Sequence, residues 1–260
     1  MDLPVDLLNK LKTLSHLSRF NADMESALCV DAFPRSANTY STYYSGLLLL
    51  NNKRPLEELL CNHHGQSLID SIRTELSSEI IQQKFIHHQH NPLLARELLE
   101  NGVKVISILR NPTDSFQSVA RYFRGDPGAA LKVYPQYIEW LSLFEEYFHH
   151  AHFQLMSFES VVNDPSTLPR ALHKLSLLNE IPSDHDLLIF TNYIKQMMHE
   201  KEKKVHGNLW NDRAAIPIEG REIINSLPLE RHSIDMDQLS KEYRRILRLA
   251  AIDDGIVSLD

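Results

Sequence analysis

The sequence predicts an α/β protein, with a mainly parallel sheet covered by helices on both faces. Short apolar runs at 27–33, 103–109 and 153–157 are bounded by turn residues, as in strands buried on both sides. Each run is followed by a polar turn and then a stretch with helical spacing, the alternation that builds parallel sheets. The chain has 260 residues, 43% of them hydrophobic and 23% charged, enough for one large domain with a real core. No Gly/Ser/Pro-rich linker divides it, so a single domain over 1–260 is expected.

The first strand, 27–33, ends at Pro34, which cannot continue a central strand. Arg35, Ser36, Ala37, Asn38 and Thr39 follow, and then a helix to about Leu50. A strand, a polar turn and a helix put free backbone N–H groups and a positive helix end in front of an anion. Arg35 adds a charge; Ser36 and Thr39 add hydroxyls. The loop has two readings, a phosphate cradle or a plain helix N-cap. It is not a Walker A loop, since it lacks the required Gly and Lys.

Before this strand, Leu7, Leu8, Leu11, Leu14 and Leu17 recur at helical spacing. They predict a helix packed on the domain, or one that meets a partner or a membrane surface. After it, helices are expected at 55–60 and 66–79. A second strand over 84–90 carries His87, His88 and His90, and Pro92 opens a helix through Glu100. Strand alternation turns His88 and His90 to one side and His87 to the other. Two same-side histidines without further ligands nearby do not predict a metal site.

The strand at 103–109 runs into Arg110-Asn111-Pro112-Thr113-Asp114, which opens a helix capped by Asn111 or Thr113. Arg110 thus stands at the carboxyl edge of the sheet, where open α/β sheets bind ligands. Ser118 follows about one turn into the helix. Arg110 either meets a second anion with Ser118 or pairs with a carboxylate such as Asp114. A loop at 121–128 and an amphipathic helix over 129–150 come next. The strand 153–157 leads into Phe158-Glu159 and a helix over 167–178. Phe190-Thr191-Asn192-Tyr193 begins or lies in a helix, and the charge run at Lys201-Glu202-Lys203-Lys204 closes that pattern. The final helix is expected over 235–251.

Pro34-Arg35-Ser36-Ala37-Asn38-Thr39-Tyr40 resembles the Pro-Lys-Ser-Gly-Thr-Thr-Trp loop of the sulfotransferases that use 3'-phosphoadenosine 5'-phosphosulfate (PAPS). Arg35 stands where that family often has Lys, and Ala37 where it has Gly. Arg110-Asn111-Pro112 with Ser118 is similar to the same family's 3'-phosphate motif, with Ser eight residues after the Arg. Phe158-Glu159 through Asp164-Pro165 is similar to its Tyr-Glu-Asp-Leu-x-x-Asp-Pro segment. Thr191 and Tyr193 match a Thr-Ser-Phe stretch, and Lys203, Lys204 and Trp210 match an Arg-Lys-Gly loop and a Trp. The resemblance spans about residues 27–210.

The resemblance implies a three-layer, P-loop NTPase-like sulfotransferase fold, with an N-terminal helical cap (1–25), a nucleotide-binding core (27–210) and C-terminal loop and helices (211–260). It implies in-line transfer of the sulfuryl group of PAPS to a hydroxyl or amine, without a metal. Arg35 would steady the departing oxygen. Ser36, Ala37, Asn38 and Thr39 would hold the 5'-phosphate, and Arg110 and Ser118 the 3'-phosphate, assisted by Lys203 and Lys204. Tyr40, Phe158, Thr191 and Tyr193 would surround the nucleotide. His90 aligns with the family's catalytic base, and His88 is the alternative.

The net charge of −7 argues against a general nucleic-acid or anionic-membrane binder, so an anionic ligand needs a local basic pocket. Two cysteines make no disulfide framework. Neither a secretory signal nor a run of about 18 apolar residues occurs, and the expected setting is cytoplasmic. A small-molecule or glycan acceptor is the expected partner, built for by loops around 51–80, 122–136 and 211–222; oligomeric state is left open. The rival readings are an ATP-dependent P-loop-like kinase, a non-catalytic nucleotide-binding protein of the same fold, and a His-rich metal protein.

Overall fold

The computed structural model describes residues 28–34, 36–51, 86–122, 127–206 and 235–253. The helices expected at 5–19, 55–60 and 66–79, and the segment 207–234, lie outside the described residues.

Among the described residues four strands form one sheet: β1 (Leu28–Ala32), β2 (Ile86–Gln89), β3 (Lys104–Leu109) and β4 (Phe153–Ser157). All pairs are parallel, in the order β2-β1-β3-β4. Every residue of β1 is buried, because β1 has a strand on each side and a helical layer on each face.

Alternation along the strands sorts the core into two clusters. Cys29 and Phe33 point one way with Val105, Leu109, Phe153 and Leu155. They meet α2 (Pro92–Glu100), α3 (Pro112–Tyr122), α4 (Pro127–Tyr147) and α8 (Met236–Asp253). Leu28, Val30 and Ala32 point the other way with Ile106, Ile108 and Met156. They meet α1 (Asn38–Asn51), α5 (Phe158–Asn163), α6 (Thr167–Lys174) and α7 (Asp184–His206). The result is the expected three-layer α/β sandwich.

The caps explain the boundaries. Asn91 accepts from the backbone N–H groups of Leu93 and Leu94 at the head of α2, with Pro92 in its first turn. Asn111 accepts from Thr113 N–H at the head of α3, which chooses Asn111 over Thr113 as the cap. Ser157 accepts from Ser160 N–H and starts α5 directly after β4. Several boundaries differ from expectation: α4 starts at Pro127, inside the expected loop, and α6 ends at Lys174 rather than near 178. The charge run lies inside α7, which continues through His206. Lys and Glu favour helix, and no Gly or Pro intervenes before Gly207.

Candidate functional site

The strand order sets the site. From β1 the chain moves to β2 on one side, and β3 then returns to the other side of β1. The carboxyl ends of β1 and β3 therefore flank a topological switch point, where open α/β sheets form a crevice. α1 leaves β1 on one face of the sheet and α3 leaves β3 on the opposite face.

The loop after β1 is tight. Ser36 N–H donates to the Phe33 carbonyl at 3.1 Å, and Ser41 N–H donates to the Ala37 carbonyl at 2.9 Å, the first bond of α1. Ala37 has φ 60°, the left-handed conformation that favours Gly. The Ser36 hydroxyl is fully buried and has no hydrogen-bond partner among the described residues. A buried orphan hydroxyl costs free energy unless something arrives to meet it. It lies where a helix N-terminus presents unpartnered N–H groups. Arg35 and the side chains of Asn38 and Thr39 lie outside the described residues.

Arg110 follows β3 directly. Its carbonyl accepts from the Tyr137 hydroxyl at 2.9 Å. Its guanidinium lies over the Phe158 ring, 4.2 Å from the centroid, a cation–π contact across the ends of β3 and β4. Ser118 sits in the second turn of α3, half-buried and further along than one turn.

The remaining candidates lie in the helical layer of α1, α5 and α7. Ala37, Tyr40, Phe158 and Tyr193 are partly buried and pack against one core cluster, and Thr191, buried on α7, lies beside the Tyr40 hydroxyl. Burial pushes the Tyr40 hydroxyl up to about 12, and the neighbouring Thr191 hydroxyl partly offsets it. Tyr44, one turn further along α1, is raised by the same burial and donates to the Pro165 carbonyl at 2.9 Å. Segments distant in sequence, α1, α5 and α7, thus share one helical layer on that face of the sheet.

His90 lies just past β2 and is exposed. Its Nδ1 is 2.6 Å from the Ala32 carbonyl, and its own carbonyl accepts from the Gln136 amide at 3.2 Å. The imidazole is thereby tied to the end of β1, beside the loop that carries Ser36. His88 lies within β2, paired with Val30, and its side chain lies outside the described residues. The same holds for the side chains of Lys203 and Lys204, whose backbone is helical. Among the described residues no three His, Cys, Asp or Glu side chains converge as a metal site, and no helix is long and apolar enough to cross a membrane.

Among solved structures, the chain is similar to the mouse sulfotransferase SULT7A1 complexed with PAP. The match has a TM-score of 0.51 at 17% identity and covers 96% of this chain and 93% of that one. The chain has the sulfotransferase fold. A retinol dehydratase in complex with androsterone and the inactive cofactor PAP is matched at TM-score 0.47 and 12% identity, over 94% of this chain and 85% of that one. The fold assignment rests on the mouse protein. No protein-family model and no curated protein sequence matches the chain.

Within the sulfotransferase fold, sequence reasoning missed Tyr44, Tyr137, Glu159 and Tyr243, the hydroxyls and the carboxylate that brace the site from behind. Tyr44 has a weak sequence signal, lying four residues after Tyr40 on the same helix face. Glu159 stands out in the sequence only as part of the 158–165 resemblance, which does not mark its bond to Tyr243; Tyr137 and Tyr243 are joined across long sequence separations and leave no signal.

Proposed function

We propose that this chain is a sulfotransferase that moves the sulfuryl group of PAPS to a hydroxyl or amine of an acceptor. The observation that supports this most is the Arg110 guanidinium over the Phe158 ring at the carboxyl ends of β3 and β4, on the side of the sheet where Ala37, Tyr40 and Tyr193 pack against the same core cluster as Phe158. A nucleotide with phosphate at two ends needs an aromatic-lined rim and separated cationic sites, and ATP does not need the second. PAPS supplies an activated sulfuryl group on a good leaving phosphate.

The chain's residues have these roles. The α1 N-terminus, Ser36, Ala37, Asn38 and Thr39 hold the 5'-phosphate; the orphan Ser36 hydroxyl fits an anion there. Arg35 stabilises charge on the departing oxygen. Arg110 and Ser118 hold the 3'-phosphate, with Lys203 and Lys204 assisting from the end of α7. One face of Phe158 carries Arg110, so its contribution to the adenine is by its edge or other face, with Tyr40, Thr191 and Tyr193.

His90 is the general base, and His88 is its alternative. A carbonyl oxygen only accepts, so the Ala32 carbonyl requires the proton on Nδ1 and leaves the lone pair on Nε2. That nitrogen takes the acceptor's proton as transfer proceeds, a role worth about 10²–10⁴-fold. The rest is positioning and electrostatic stabilisation. A cytoplasmic enzyme with a small-molecule or glycan acceptor completes the reading.

Calorimetry with 3'-phosphoadenosine 5'-phosphate (PAP), AMP and ATP tests it. Tight PAP binding with weak AMP and ATP binding supports the proposal; preference for ATP or no nucleotide binding rejects it. Transfer of radiolabelled sulfate from PAPS across an acceptor panel then identifies the acceptor class.

A further inference from the structure

α8 carries Leu239, Tyr243 and Ile246 at helical spacing on its buried face. Packing alone would be served by Phe at 243. The hydroxyl needs a partner, since a buried phenol leaves water only if its O–H is met. It donates to Glu159 Oε2 at 3.0 Å, joining residues 84 apart in sequence. Tyr243 is 5% exposed and Glu159 is half-buried, so this bond is partly shielded from solvent.

Glu159 is in the first turn of α5, beside Phe158. Phe158 is the ring beneath the Arg110 guanidinium. Tyr137 on α4 fixes the same arginine's carbonyl. Arg110 is therefore held twice: its backbone from α4, and its side chain through a ring whose helix is moored by α8. The groups around the Tyr243 hydroxyl fit this arrangement. Burial raises its titration furthest, Glu159 and Asp114 raise it too, and the charge of Arg110 opposes them. The Tyr243 hydroxyl and the Arg110 charge thus share one electrostatic neighbourhood.

We propose that Tyr243 and Glu159 are a positioning pair for Arg110, through which the C-terminal helix sets how tightly the chain holds a 3'-phosphate. This rests on the nucleotide reading above. Neither residue touches the nucleotide; they act through Phe158. Removing the bond loosens the first turn of α5, lets the ring move and leaves the guanidinium poorly aimed. The loss falls on nucleotides that carry a 3'-phosphate and spares those that do not.

Calorimetry on the full chain with PAP and with AMP reads this directly. Tyr243→Phe, which keeps the ring, should weaken PAP by about five- to tenfold, the range for coupled neighbours, and leave AMP nearly unchanged. Glu159→Ala should do the same, and the double variant should be no weaker than either single one. Glu159→Gln, whose amide carbonyl still accepts, should recover most of the PAP affinity. The proposal is overturned if Tyr243→Phe and Glu159→Ala leave the PAP-to-AMP ratio at its starting value, or if both nucleotides weaken together. If the unmodified chain shows no preference for PAP over AMP, the nucleotide reading itself fails and takes this inference with it.

Discussion

Ala37 holds a backbone conformation that an L side chain adopts at a cost of about 1–2 kcal/mol. Gly would relieve that strain but would add freedom to the unfolded chain, a penalty of roughly 0.5–1 kcal/mol. Ala37→Gly should therefore stabilise the protein by up to about 1 kcal/mol, read as a higher urea midpoint. The same loop conformation with Ala or Gly also implies unchanged PAP affinity in that variant. Arg110→Ala should weaken PAP by at least about tenfold, as expected for a lost charged hydrogen-bonding group, and barely change AMP. His90→Gln should keep PAP affinity and lower turnover by about 10²–10⁴-fold; full turnover would move the base to His88. Residue identities at these positions were legible because each stands beside a strand end. The left-handed φ at Ala37 was signalled only by the resemblance, which has Gly there, and not by the alanine itself.

At the scale of elements, β4, α5 and α6 form a short relay whose turns are held by side-chain caps. Asp164 shows how such a turn responds to acid. Burial would raise its carboxyl, but two hydrogen bonds from Ser166 and the charge of Arg170 prevail and hold it below the ordinary carboxylate value. A depressed folded value contributes stability above the unfolded value of about 4, and that stability fades as pH falls through the lower folded value. Asp164→Asn should therefore lower the thermal midpoint at neutral pH and lose less than the parent as pH falls below about 4. Equal acid slopes in the two proteins would contradict this. The ends of α2 and α3 were legible from Asn91-Pro92 and Asn111-Pro112, a polar cap followed by Pro. The end of α7 was not. A run of Lys and Glu reads equally as a loop over a ligand and as a solvated helix, and propensity decided it.

The whole molecule has two apolar layers of unequal chemistry. One is rich in aromatic rings, with Trp140 and Phe144 stacked at 5.5 Å and Phe144 6.0 Å from Phe153. Phe144→Ala should cost about 3–5 kcal/mol, a large part of the roughly 5–15 kcal/mol that holds a domain folded. Leu93→Ala, at an exposed position, should change stability by no more than about 0.5 kcal/mol. Urea unfolding of the pair checks both. The layering was legible from apolar runs followed by helices. The bracing by Tyr137 and Tyr243 was not, because hydroxyl bonds between remote helices have no sequence period.

The adjacency of β1 and β3 has a consequence for how the protein can change. Ala32 is in register with Ile108, and Phe33 N–H still donates to the Ile108 carbonyl as the strands end. The loop bearing Ser36 and the start of Arg110 thus spring from lanes only about 5 Å apart. Their separation is a gauge cut in main-chain bonds, which no surface substitution can file wider. On the proposed nucleotide reading, the walls that would meet an acceptor are free to drift while the span between Ser36 and Arg110 stays as the sheet made it.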